Sequence, residues 1–260
     1  MNRLRPKLIR FARLTGLAFG LLPLRSLAQS APPLAFNEAL SFSLSFKGIG
    51  AAEAFIRFLP GNPQQIEARI DTKTLTSLIF SIHNHYWTEV DPASGLPLVV
   101  HKTIDQSNLQ QTLDIQYDRT VHLARGGHLG TWPILPGALD LFTMLFKLRQ
   151  LSPAAGDSIA FPLDIESQAW IASGKVFEGG EVKGPTGRIR ARQVVLRFSR
   201  RGGAAARAWK TDLLTNRIVR PEGLLTVYLG PPPANLPLLL QFGPSDQRVI
   251  MRLKRSQEGK

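Results

Sequence analysis

The chain has 260 residues, no cysteine and a formal net charge of +13, from 32 Lys and Arg against 19 Asp and Glu. Without cysteine there is neither a disulfide nor a residue to carry a lipoprotein anchor. A length of this order suits one β-rich domain or two small ones.

Residues 1–13 carry Arg3, Arg5, Lys7, Arg10 and Arg13 with no acid, and Leu14–Leu24 is apolar. Ser26 and Ala28 then supply the small residues of a cleavage site. That order is the pattern of a secretory signal peptide over 1–28, and it predicts a periplasmic or secreted product, 29–260, folded as a single domain. Loss of these five basic residues and Arg25 leaves 26 against 19 acids, or +7. A basic balance can signal nucleic acid, but neither a basic helix nor an aromatic-basic strand motif supports that partner. For an exported protein the acidic neighbours are lipid head groups and envelope polysaccharide, with diffuse surface charge as the plainer reading.

After a lead-in at Gln29–Leu34, Leu40–Phe46 alternates aliphatic or aromatic residues with serine, a period of two that predicts a strand. Lys47–Gly50 turns the chain into a return strand over Glu53–Leu59, and Ile66, Ala68 and Ile70 mark a third. Leu75–Phe80 is an apolar link of undecided type. His83–Val90 and Leu98–Ile104 flank a Pro- and Gly-containing loop and predict a hairpin, with further strands at Leu113–Tyr117 and Val121–Leu123. Weaker strand patterns follow at Asp157–Ile165, Gln168–Phe177 and Ile189–Phe198, and a basic loop tip at Arg200–Arg207. Leu224–Leu229, Pro237–Phe242 and Arg248–Leu253 end the series, so consecutive strands with short turns predict antiparallel pairing.

Between these strand blocks, residues 137–150 read as a helix, opened by Pro136–Gly137 and closed by Ser152–Pro153. Asp140, Thr143, Lys147 and Gln150 recur at helical spacing on one narrow stripe, and apolar side chains take nearly all the rest. A helix that apolar must be covered on several sides. The fold class expected is therefore mainly β: a strongly curved antiparallel sheet, or open or partial barrel, around one buried helix.

Six stretches in order resemble an exported bacterial family, domain of unknown function number 3108, over about Ala35 to Lys254. They are FSLSFKGIGAAEAFIRF, YWTEVDPASGLPLVVHKTI, LDIQYD, LDLFTMLFKLRQLSPAAGD, GPTGRIRARQVVL and LLTVYLGPPPANLPLLLQF. The chain departs from that pattern at Gly230–Pro233, where members carry acidic residues, and near Tyr228, where they carry Trp. The resemblance implies an exported, largely antiparallel β fold like an open barrel, and no established activity.

Chemistry-bearing residues are dispersed. His83 and His85 share a strand face and hairpin pairing could bring His101 beside them, but ordinary strand positions explain all three, so no metal and no cofactor is expected. His122 and His128 read as loop or strand-edge residues. No nucleophile elbow, zincin or P-loop motif is present. Tyr86 and Trp87 must project to opposite faces of their strand, so at most one faces the core, and the other is either a wet contact surface or, on the plainer reading, exposed by chance. On a wheel of about 100° per residue Arg149 lies opposite Asp140, on the side Phe142, Leu145 and Leu148 bury, so it is either buried or lies in the last turn with its stem along apolar surface and its guanidinium reaching water or capping carbonyls. A buried guanidinium needs a carboxylate. Glu53, beside the small residues Gly50–Ala52 and on a stretch that carries the resemblance, is the partner expected. The binding residues expected are thus Glu53, Tyr86, Trp87 and Arg149, with no catalytic residue. The function expected is non-enzymatic: an exported protein that takes a lipid-like ligand or an envelope partner on a curved sheet. The alternative is an envelope hydrolase or carbohydrate-modifying enzyme with a dispersed site.

Overall fold

The computed structural model describes residues 37–73, 81–165, 167–201, 212–221 and 223–258. The expected signal peptide, the lead-in, the Leu75–Phe80 link and most of the Arg200–Arg207 loop lie outside them. The alternating first segment is β1 (Glu38–Phe46), with Leu40, Phe42 and Leu44 buried. It pairs on one side with β2 (Ile49–Leu59). A meander follows through β3 (Gln64–Thr72), β4 (Ile82–Val90), β5 (Pro97–Gln106), β6 (Leu109–Asp118), β7 (Leu123–Gly126) and β8 (Gly130–Pro133).

There the chain leaves the sheet for α1 (Leu141–Leu151) and re-enters at the opposite edge. A second meander runs β9 (Ser158–Ile165), β10 (Gln168–Gly184), β11 (Gly187–Arg200), the short α2 (Leu213–Ile218), β12 (Leu224–Leu229), β13 (Pro237–Phe242) and β14 (Val249–Glu258). Because β14 pairs with β1, the described residues form one antiparallel sheet of 14 strands whose middle holds both the first strand and the last. Close packing of the long ribbon β10–β11 needs Gly174, where a Cβ would lie 1.8 Å from the Val195 carbonyl oxygen.

The sheet is not closed by strand pairing, since β8 and β9 are its two edges. The segment before α1 spans the gap. Leu139 bridges to Leu163 on β9, and Trp132 on β8 donates its indole N–H to Asp164 at 3.0 Å. The Leu139 bridge uses backbone groups of an edge that would otherwise face another chain.

The helix sits inside the curve, as its apolar circumference requires, with Met144, Phe146 and Leu148 almost wholly covered. Its start differs from expectation. Asp140 is the N-cap, accepting from the backbone N–H of Phe142 (2.7 Å) and Thr143 (3.1 Å) and from the Thr143 hydroxyl (2.6 Å). A carboxylate satisfying first-turn donors is a strong stop on the N-terminal side, so helical geometry begins at Leu141, later than Pro136–Gly137 suggested. The polar stripe divides accordingly. Asp140 and Thr143 are buried with the cap, whereas Lys147 and Gln150 are half-buried. Ser152 in the left-handed region ends the helix, and its N–H returns to the Arg149 carbonyl.

Candidate functional site

Arg149 is buried to 1 % exposure and does hold a carboxylate, but that carboxylate is Glu38. Its Nε and Nη2 donate to the carbonyls of Asn235 (3.3 Å) and Ala234 (3.1 Å), and Asn235 donates back to the Arg149 carbonyl at 2.9 Å. Arg192 joins the same knot through Pro153 O (2.6 Å), Gly230 O (3.0 Å) and the Asn235 side chain. The expected Glu53 pairing is corrected. Glu53 faces solvent, its side chain 71 % exposed, 3.2 Å from Lys73. The cause is parity along the hairpin: Ala52, Ala54, Ile56 and Phe58 turn inward, so Glu53 between them turns out. The knot is a clamp of the 230–236 loop on the helix end.

Tyr86 and Trp87 separate as alternation demands. Tyr86 is buried with its ring 5.0 Å from Phe142. Trp87 lies on the outer face, ring centroid 4.8 Å from His101. Around this pair Arg57, Gln65, Glu67, His85 and Thr103 bound a shallow polar groove of about 460 Å³. Burial pushes the Glu67 carboxyl up, but hydrogen bonds from Arg69, Arg57 and His85 outweigh it and hold Glu67 below the ordinary range. Pairing places His83 opposite Asp105 and His101 opposite Trp87, so the three histidines share the outer face. Each is tied to its own acid on a neighbouring strand: His83 to Asp71 (2.9 Å), His85 to Glu67 (2.8 Å) and His101 to Asp114. Among the described residues no three His, Cys, Asp or Glu side chains are grouped to hold a metal ion. His122 and His128 are exposed.

The interior carries a polar seam that the sequence reading missed. Lys102 on β5 reaches Asp212, the N-cap of α2, at 3.1 Å, and Asp212 accepts from the Thr215 N–H and hydroxyl at 2.7 Å each. Burial pushes Asp212 up, yet the Lys102 charge and the Thr215 donors prevail and leave it below the usual carboxylate range. Nearby, Tyr117 is driven well above the ordinary phenol value by burial and then by the charges of Asp164 and Asp140. The space at this seam is only about 40 Å³. That is room for little more than a water.

The larger void lies at the end of the barrel where β1 turns into β2. It measures about 530 Å³ and is walled mainly by apolar side chains, among them Leu44, Phe46, Ile70, Leu214 and Phe242. Such a volume falls in the range of about 300–1,000 Å³ common for ligand sites. Two cations, Lys47 and Arg217, stand among its lining residues. Arg217 lies over the Phe46 ring at 4.9 Å and donates to the Gln247 carbonyl at 3.1 Å. Neither cation has a carboxylate partner among the described residues. Beside Lys47 and Arg217, Ile49 is 67 % exposed. Lys47 and Gly48 both take the left-handed conformation that makes this turn tight, the one for which Gly48 is suited.

A partly open antiparallel barrel with an internal helix and an apolar cavity at one end is the class of molecule these observations define. The chain belongs to the family described as protein of unknown function DUF3108, whose model matches residues 41–247. No curated protein matches the sequence. Among solved structures, a β-barrel-like protein of domain of unknown function DUF1849 from Brucella abortus shares the fold, with a TM-score of 0.56 at 9 % identity. The superposition covers 86 % of this chain and 98 % of that one. Among the described residues no helix is long and apolar enough to cross a membrane.

Proposed function

We propose that the protein is a non-enzymatic, exported lipid-binding protein that holds an anionic amphiphile in the apolar end of its barrel. The observation that carries this reading is the 530 Å³ apolar cavity with Lys47 and Arg217 in its lining. An acyl chain would gain by leaving water, at roughly 25 cal/mol per Å² of apolar surface covered. The two cations give an anionic head group its counter-charge, and the exposed Ile49 beside them gives apolar contact where the chain enters. The basic and then apolar stretch over residues 1–24, with Ser26 and Ala28 after it, supports export to the periplasm and cleavage near Ala28. Native mass spectrometry and lipid extraction of protein purified from its own periplasm test the reading. The expected result is a mature chain starting near Gln29 with co-purifying lipid. A clean apo mass, together with no uptake of a fluorescent fatty acid, would overturn it.

The alternative, an envelope hydrolase or carbohydrate-modifying protein, has the outer groove in its favour. There a half-buried indole and His ring lie beside the fixed carboxylate of Glu67. Quenching of Trp fluorescence by soluble polysaccharide fragments, lost in Trp87→Ala, would support it, and release of shortened fragments would make it an enzyme.

A further inference from the structure

Among the polar groups that line the apolar cavity is the Asn84 amide, which a plain acyl chain leaves unused. Asn84 on β4 lines the cavity and is 3 % exposed. Its Nδ2 donates to the Tyr86 hydroxyl at 2.7 Å, while its Oδ1 has no hydrogen-bond partner among the described residues. A buried amide oxygen in this state is destabilising unless something in the cavity donates to it. We propose that Asn84 receives a hydroxyl carried partway along the ligand chain, so that the preferred ligand is a mid-chain hydroxylated lipid acid. This rests on the lipid reading of the cavity.

A hydroxyl is the group that fits both orientations of the amide. With Oδ1 toward the cavity it donates, and with the amide turned over it accepts from Nδ2. A carboxylate does not belong there, because it would be stripped of water among apolar side chains away from the rim cations. The depth also argues for mid-chain. Asn84 pairs with Ile70 and Ile70 with Ala54. From Ala54 along β2 to Ile49 at the turn is roughly 16 Å at about 3.3 Å per residue. An anionic head at Lys47 and Arg217 therefore places the middle of a long chain beside Asn84.

The test compares octadecanoate with 12-hydroxyoctadecanoate, each displacing a dansyl-labelled undecanoate from the mature protein. The hydroxy acid is expected to bind about tenfold more tightly, since a site built around a hydroxyl rejects the analogue lacking it. Asn84→Leu should abolish that preference while still binding octadecanoate. In the wild-type protein the Asn84 side-chain amide resonance should shift with the hydroxy acid and stay nearly still with octadecanoate, a readout that needs no variant. Equal affinity for the two acids overturns this inference and leaves the lipid reading standing, as does a preference that survives Asn84→Leu. Binding of neither acid overturns both.

Discussion

The two ends of this barrel are built from the same strands and differ in almost everything else. At one end β1 begins, and Glu38 is spent on Arg149, which with Arg192 and Asn235 ties α1 to the loop before β13. Phe58 and Phe146 pack there with ring centroids 5.1 Å apart. At the other end β1 finishes at Phe46, beside a cavity of about 530 Å³ with mainly apolar walls. The helix is the reason. Its 11 residues run only about 16 Å at 1.5 Å per residue, so it fills one half of the interior and stops short of the other. Apolar interiors collapse onto themselves unless something holds the walls apart. Here the buried seam of Lys102, Asp212 and Thr215 is fixed across the middle.

The contrast is open to experiment, beginning with the clamped end. Arg149→Met leaves Glu38 buried without its cation and is expected to cost about 3–5 kcal/mol in urea denaturation. Adding Glu38→Gln should recover part of that loss, whereas Glu53→Gln should be additive to within about 0.5 kcal/mol. A recovery through Glu53 instead would break the assignment of the clamp.

The seam should respond to acid. The folded-state value of Asp212 lies below its unfolded one, so its contribution is present above the unfolded value of about 3.9 and is lost as pH falls through the folded one. The stability difference between wild type and Asp212→Asn, about 2 kcal/mol near pH 7, is therefore expected to shrink as pH drops below 4. Melting temperatures from pH 7 to pH 2.5 check this, and a difference that grows on acidification would contradict the geometry.

Overpacking then tells the packed core from the cavity. Ala68→Leu adds volume where β3 meets the filled core and should cost about 1–3 kcal/mol. Ala52→Leu, on the cavity wall, should cost less than about 1 kcal/mol and remove fatty-acid uptake instead. Equal costs would mean that the cavity is closed in solution. Trp87→Ala on the wet outer face should be the mildest for stability, within about 1 kcal/mol by thermal melting.

Most of the architecture was legible because one face of every long strand is buried. The serine alternation of β1 read as a strand and proved to be one, and the apolar circumference of residues 137–150 announced a helix needing cover all round. The position of Arg149 on that helix allowed either burial or a last-turn reach to water, and it is buried. Its partner was missed although parity offered a clue: Glu38 shares its face with Leu40, Phe42 and Leu44. Glu53 alternates with two inward alanines. Which of two acids on one hairpin meets a distant helix depends on how the hairpin lies over it, and no local period encodes that. The six residues of α2 are too few for a helical period to emerge, although Asp212 three places before Thr215 is a capping signal. The four residues of β8 are too few for alternation. The cavity could not be read at all, being a difference between the length of a helix and the reach of the sheet around it.

The central pairing of β1 with β14 governs the order in which the molecule can be finished. As the chain is synthesised, β1 emerges first and its outer side must wait for the last strand, more than 200 residues later. Until then β1 and β2 form a ribbon with a bare apolar flank, and the helix has only half its cover. Contacts of such sequence separation make folding slow and nearly all-or-none. A stop codon that removes β14 should therefore leave a chain that aggregates rather than a smaller barrel.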